Sequence, residues 1–543
     1  MLSTKKSKGW VHAAAVVATV GAAAMTYYVY QRRRRAKDSA PPRTRGGHIR
    51  ADADTIASKC FSNTLQDWDA ALAAAGKSPF LRLEKGNVAR FDPAFLERQR
   101  RRLQQILQGD LLSETAPVPS PMIAPTVYLG NPGIAYALLR LASFLPEQRQ
   151  ACLDKVGEVL ARPLVNSMPD HSNRTRISLQ IGEAGACTVD ALRCHSQGDH
   201  ENAAGLVRKM LTFPDAEVPP IQGLWNRFQW WMMNKIYSLL AGITMRDVYD
   251  ANEWLYGRAG YLHACELLLR TLQQGDDYDP ELLRKIRTVR DDVVRATISC
   301  GRAYAKANGK ASPLMYRWAG GEYLGAAHGI MGILHSLLDV VTEQGGDGER
   351  IRQDLRACVD FVLTKEQFLD HEETMGGHYG SLDDDKSATM VQFCHGATGA
   401  VWLFSKAYEV FGDVKYKGAA LRSGGAIWRH GLLKKGPGIC HGMSGSGYAM
   451  LRLFRLERDP KWLHRACAMS EYMLSEEVVA KSRKPDNPVS LFEGAAGTAL
   501  FLADVLRPSM ATMPLFELPE YEDVGSATTM EEVEGCSIAV VVK

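Results

Sequence analysis

The chain has 543 residues, 46% of them hydrophobic and 23% charged, which is ample for a large buried core, and no low-complexity tract interrupts it. Its net charge of +4 is uneven: the first 50 residues hold eleven Lys or Arg against one Asp, leaving residues 51–543 at about −6. The basic character therefore belongs to one end and is no argument for nucleic-acid binding. Eleven cysteines, scattered from Cys60 to Cys536 without tight pairing, fit reduced intracellular thiols better than a disulfide framework.

In chain order, a basic N-terminus (1–9) precedes residues 10–30, which carry no formal charge apart from His12 when protonated. That stretch is just long enough to cross a bilayer. Lys5, Lys6 and Lys8 lie before it and the denser cluster Arg32–Arg35 with Lys37 follows, so the positive-inside rule places everything downstream in the cytosol. The expectation is a single N-terminal membrane-anchor helix with a cytosolic body; which membrane is not written in the sequence. A cleaved signal peptide would need a small-residue cleavage site, and an organellar presequence would carry its Arg within the helix. Residues 31–50 read as a basic linker, 51–518 as one helical body and 519–543 as an acidic mobile tail.

The body is built on a repeat. Seven Gly-x-x-Gly units, each followed by an apolar run, occur at Gly130/Gly133, Gly182/Gly185, Gly257/Gly260, Gly329/Gly332, Gly396/Gly399, Gly442/Gly445 and Gly494/Gly497. Between them lie amphipathic stretches such as ELLRKIRTVRDDVVRATI, where Leu282, Ile286, Val289 and Val293 recur at helical spacing. This predicts seven helix pairs, with Gly-x-x-Gly opening the second helix of each so that small residues permit close packing. A lone pair cannot bury its apolar stripe, so the units must pack as a solenoid or a closed ring. With no end cap evident, a ring is expected, and residues one or two places before each first Gly then converge on its axis.

Two of those entry loops carry Cys-His-Gly: Cys394 in FCHGATG and Cys440 in GICHGMSG. A ring lets Cys394, Cys440 and His441 meet despite their sequence separation, with His328 (in AHG) and Glu493 (in FEG) on the same rim. Two thiolates and an imidazole suit zinc, and three protein ligands leave a fourth position for water or substrate. The alternatives are ordinary buried thiols, His residues that merely cap helices, and a closed site with His395 as fourth ligand. A thiol in the open position would bind as thiolate, and its addition to an electron-poor alkene would need an acid to protonate the resulting enolate. His328 is the candidate acid, against a simple capping role. Glu253, four residues before Gly257, could orient it or help proton transfer, against a solvated helix-end carboxylate. Glu493 reads as structural, and Lys435 in a Lys-Lys pair as solvated.

The order LYGRAGY, SPLMYRW, YLGAAHGIMGI, FCHGATGAV, GLLKKGPGICHG and SLFEGAAGTALFLADVL, over roughly 130–518, resembles the lanthionine synthetase C-like (LanC-like) family, and specifically its eukaryotic members. The resemblance implies an all-α fold, a closed (α/α)7 toroid of seven inner and seven outer helices. It implies one zinc ion on Cys394, Cys440 and His441, a catalytic His at His328 and an acidic partner at Glu253. Glutathione is the implied co-substrate, with Lys435 beside it, added to dehydroalanine or dehydrobutyrine residues of proteins or peptides. A non-catalytic zinc- and glutathione-binding signalling or scaffold protein is the second reading. A metal-free helical-barrel glycosidase is the third, and needs two carboxylates across the sugar bond. Arg317, Ser446 and the anchor depart from the family pattern and bear on substrate preference.

Overall fold

In a computed structural model the described residues are 48–49, 58–75, 77–85, 88–114, 126–161, 177–213, 252–273, 278–318, 320–341, 348–369, 376–381, 390–518 and 538–541. Sixteen α-helices dominate them. After α1 (Trp68–Ala75) and α2 (Pro93–Ile106) come six hairpins: α3 (Asn131–Phe144) with α4 (Arg149–Ala161), α5 (Glu183–Ser196) with α6 (His200–Met210), and α7 (Arg258–Leu272) with α8 (Pro280–Ala307). They continue as α9 (Ile330–Val341) with α10 (Gly348–Leu363), α11 (Ala397–Phe411) with α12 (Val414–His430), and α13 (Met443–Glu457) with α14 (Pro460–Tyr472). The short α15 (Glu476–Lys481) and then α16 (Ala495–Val505) follow.

Helices α3, α5, α7, α9, α11, α13 and α16 each start one residue after the first Gly of a unit. They are buried nearly all round; every residue of α9 is buried. Each packs on the next in chain order, and α16 also packs on α3, so their contacts form a cycle. Their partners bury a single stripe: Leu282, Ile286, Val289 and Val293 of α8 are all buried, as the spacing predicts. The two classes also begin differently. Asp92, Asp199, Asp279, Asp413 and Asp459 cap partner helices through their carboxylates, satisfying free NH groups and the positive helix end. Inner helices start on Gly instead, leaving room for the converging loops.

The second Gly of every unit has a stricter reason than close helix packing. A Cβ there would sit 1.8–3.0 Å from the carbonyl oxygen of the residue six places earlier, from Val127 under Gly133 to Leu491 under Gly497. The entry loop folds back onto the first helical turn, and only Gly admits it.

The expected pairing order is corrected. The Gly-headed helix is the first of each tight hairpin, because the short connections follow the inner helices: α11 reaches α12 through Gly412 and Asp413 alone. The seventh inner helix, α16, takes its partner α2 from the other end of the body.

Small sheets flank the helices. β1 (His48–Ile49), at the end of the expected linker, pairs in parallel with β4 (Phe368–Leu369), while β2 (Leu81–Glu84), β3 (Val88–Phe91) and β5 (Ile538–Ala539) form an antiparallel sheet in the order β2-β3-β5. The last strand falls within the stretch 519–543 expected to be an acidic mobile tail, of which residues 538–541 are described. Ile538 and Val540 are buried and the Val541 NH donates to the Arg458 carbonyl at 2.6 Å; a β-branched, alternating stretch suits a strand. The anchor expected over 10–30 lies outside the described residues, among which no helix is long and apolar enough to cross a membrane.

After α16 the chain turns back beneath the entry loops. The Phe516 ring lies 4.7 Å from Phe393, 5.3 Å from Trp254 and 4.4 Å from His335. These rings form an apolar floor directly below the residues that precede the inner helices.

Candidate metal centre

Backbone contacts between neighbouring entry loops bring the Cys-His-Gly copies together. The Cys394 NH donates to the Cys440 carbonyl at 3.3 Å, and the NH groups of Ile439 and Cys440 both donate to the Phe492 carbonyl at 2.9 Å. Gly396 takes φ +110°, and a Cβ there would strike the Met390 carbonyl; the chain thus turns sharply after Cys394 in a way only Gly tolerates. The ligand atoms of Cys394, Cys440 and His441 then lie within 4.8 Å of one another. Both cysteines are buried, while the His441 side chain stays 21% exposed, so the group opens on one side.

Two thiols this close share a proton. Cys440 donates to the Cys394 sulfur, which holds Cys394 below the ordinary thiol range, with the Lys435 charge acting the same way. Cys440 is pushed up by that bond and by burial, against a hydrogen bond from His441. A divalent cation would displace both protons and remove the conflict. The S, S, N donor set, its close grouping and its open side fit zinc.

Three further side chains close around the group. The Tyr128 hydroxyl donates to the Cys440 sulfur, and desolvation followed by the nearby sulfurs drives its phenol well up; its ring stacks on Phe492 at 5.0 Å. Sequence reasoning missed Tyr128, although it stands two places before Gly130 just as the cysteines stand two places before Gly396 and Gly442. Glu493, expected to be structural only, places Oε1 3.7 Å from His441 Nε2. Gln392 Oε1 lies 3.5 Å from the Cys394 sulfur.

His328 occupies the neighbouring loop, 17% exposed, its ring 6.0 Å from that of His395. Glu253 is buried and its Oε2 is 3.4 Å from His328 Nδ1. Its carboxylate also accepts the Leu255 NH at 2.7 Å and the Tyr256 NH at 2.6 Å. Glu253 is therefore not a solvated helix-end carboxylate, and it stands beside His328 while holding two NH groups of its own loop. Lys435 is exposed, close enough to Cys394 to act on its charge.

Residues 121–518 match the family model described as lanthionine synthetase C-like protein. Glutathione S-transferase LANCL1 of Danio rerio is 34% identical over 397 residues, covering 72% of this chain and 85% of that protein. Among solved structures, nisin cyclase aligns over 76% of this chain and 94% of its own, with a TM-score of 0.48 and 14% identity. From the family match, which spans well over half its length, the chain belongs to the lanthionine synthetase C-like family.

Proposed function

We propose that this chain is a closed (α/α)7 toroid that adds the thiol of glutathione across the double bond of dehydroalanine or dehydrobutyrine residues in proteins or peptides. The convergence of Cys394, Cys440 and His441 to within 4.8 Å, with His328 in the adjoining loop, carries the reading. The name of the Danio rerio relative, a glutathione S-transferase, supports it.

A zinc ion in this donor set supplies an open position at which a thiol ionises near neutral pH. The side chains do the rest. Lys435 offers an exposed cation to the acidic tripeptide. Tyr128, donating to Cys440, fixes the sulfur and limits its charge. As the sulfur–β-carbon bond forms, the π pair moves toward the adjoining carbonyl, and the α-carbon takes a proton from His328. The balance is one C–S bond made, one π bond lost, and the thiol proton returned to carbon through His328. Glu253 serves by holding the loop between itself and Tyr256, and the Phe516 floor excludes water from below. Residues 10–30 anchor the body at the cytosolic face of a membrane in this reading.

The test is incubation of the full chain with a dehydroalanine peptide and glutathione, followed by mass spectrometry. One glutathione per peptide is expected, with a rate about 100-fold lower for His328→Asn at unchanged zinc content. Tight glutathione binding with no adduct would instead favour the scaffold reading.

A further inference from the structure

Among the described residues, Nδ1 of the His328 imidazole has no hydrogen bond to set the orientation of the ring. Glu253 Oε2 stands 3.4 Å from Nδ1 while its oxygens accept from the Leu255 and Tyr256 NH groups, and Nδ1 is buried without a hydrogen-bond partner among the described residues. A proton-transfer histidine is ordinarily aimed by a hydrogen bond from its second nitrogen. Here ring stacking takes that place. The Trp318 indole lies over the imidazole with centroids 4.0 Å apart and planes 10° from parallel. Tyr256 runs nearly parallel to both, 5.4 Å from Trp318 and 5.7 Å from His328, and Tyr323 meets Trp318 edge-on at 5.6 Å.

Trp318 is itself held firmly. Its NH and carbonyl exchange hydrogen bonds of 2.9 Å with Gly321, closing a tight turn in which Gly320 takes φ +82°. The next residue, Glu322, is clamped by the Tyr304 hydroxyl at 2.8 Å and by Lys310 Nζ at 2.6 Å. Tyr304 belongs to α8, so the turn that carries the indole is tethered to a helix outside the inner cycle.

We infer that Trp318 is the positioning residue for His328: the indole face sets the plane of the imidazole and holds it for proton delivery to the substrate α-carbon. Stacking fixes a plane without itself engaging the ring nitrogens, which suits a group that must hand over its proton. This inference rests on the proposed role of His328 as proton donor.

The experiment compares Trp318→Leu with Trp318→Phe in the full chain. Leu removes the flat face, so kcat for adduct formation should fall about 10- to 100-fold, while KM and zinc content stay within about 2-fold. Phe restores a face and should recover most of the rate. Unchanged kcat in the Leu variant, or a loss that follows zinc or KM instead, would overturn the inference. A readout independent of turnover separates it from the function proposed above. In histidine-labelled protein the His328 ring signals, assigned by their absence in His328→Asn, should move and broaden in Trp318→Leu as the indole ring current is lost. If the wild type forms no adduct, the functional reading fails and these signals alone decide: ring signals the same in both proteins defeat the positioning role. Should the Leu variant not fold, Glu322→Gln, which loosens the turn from Lys310, is read by the same two measurements, with the same results for and against.

Discussion

Cys440 shows how much of this site depends on single atoms: its sulfur meets Cys394, Tyr128 and His441 at once. Removing the Tyr128 hydroxyl should leave the three ligand side chains in place but weaken the grip. Tyr128→Phe is expected to lower zinc affinity about 10-fold in competition with a chelator, and unchanged affinity would show that the hydroxyl does not act on the sulfur. Glu253 makes a different kind of claim. Glu253→Gln keeps the size of the side chain but leaves one oxygen where two NH groups now donate, so it should cost roughly 1–3 kcal/mol of unfolding free energy in denaturant titration. The grouping of Cys394, Cys440 and His441 was legible because a rare tripeptide recurs in one register of a repeat. Tyr128 shares that register but not the residue type. Trp318 lies in SPLMYRW, outside the repeat altogether, and stacking between residues ten apart leaves no pattern in a sequence.

At the scale of elements, glycine position decides tolerance. Gly497→Ala would put a Cβ 2.0 Å from the Leu491 carbonyl oxygen, and backbone cannot step aside cheaply. A loss of about 3 kcal/mol or failure to fold is expected. Gly157, on the exposed side of α4, has nothing within 4 Å of such a Cβ, and Gly157→Ala should stabilise by about 0.5–1 kcal/mol. Thermal melts of the two variants against wild type decide the contrast; equal effects would contradict it. The seven units were legible from Gly-x-x-Gly and its apolar run. Their pairing order was not, since amphipathic stretches on both sides of an inner helix look alike until the short connections are seen. The strand at Ile538–Ala539 escaped because its partner, Val88–Ala89, is some 450 residues away in sequence.

For the whole molecule, the cycle of inner helices encloses charge as well as rings. Lys406 pairs with Asp339 at 2.6 Å, Arg452 with Glu409 at 2.6 Å and with Glu517 at 3.2 Å, so Glu517 ties the returning C-terminal segment to the inner helices through a buried ion pair. Among these groups sit His263 and His335, both pushed down to about 4, by burial above all and against the pull of Asp339. Their unfolded value is near 6.5, so between 6.5 and 4 the unfolded chain binds more protons and stability falls with falling pH. Each histidine should cost about 2 kcal/mol at pH 5 relative to its full neutral contribution. The carboxyl of Asp339, held low against burial by Lys406 and His335, weakens the fold in the same direction at still lower pH. Denaturant midpoints at pH 7 and pH 5 measure the slope, and His335→Gln should flatten it; a wild-type midpoint that rises on acidification would contradict the account.

The central claim is that three residues hold zinc and leave one position for a thiol. X-ray absorption at the zinc edge on the purified full chain, without and then with glutathione, tests it most directly. The account predicts one zinc per chain with two sulfur neighbours, one imidazole nitrogen and one light atom, the last replaced by a third sulfur when glutathione is added. Four protein ligands that do not change with glutathione, or no zinc in protein that retains Cys394, Cys440 and His441, would contradict it.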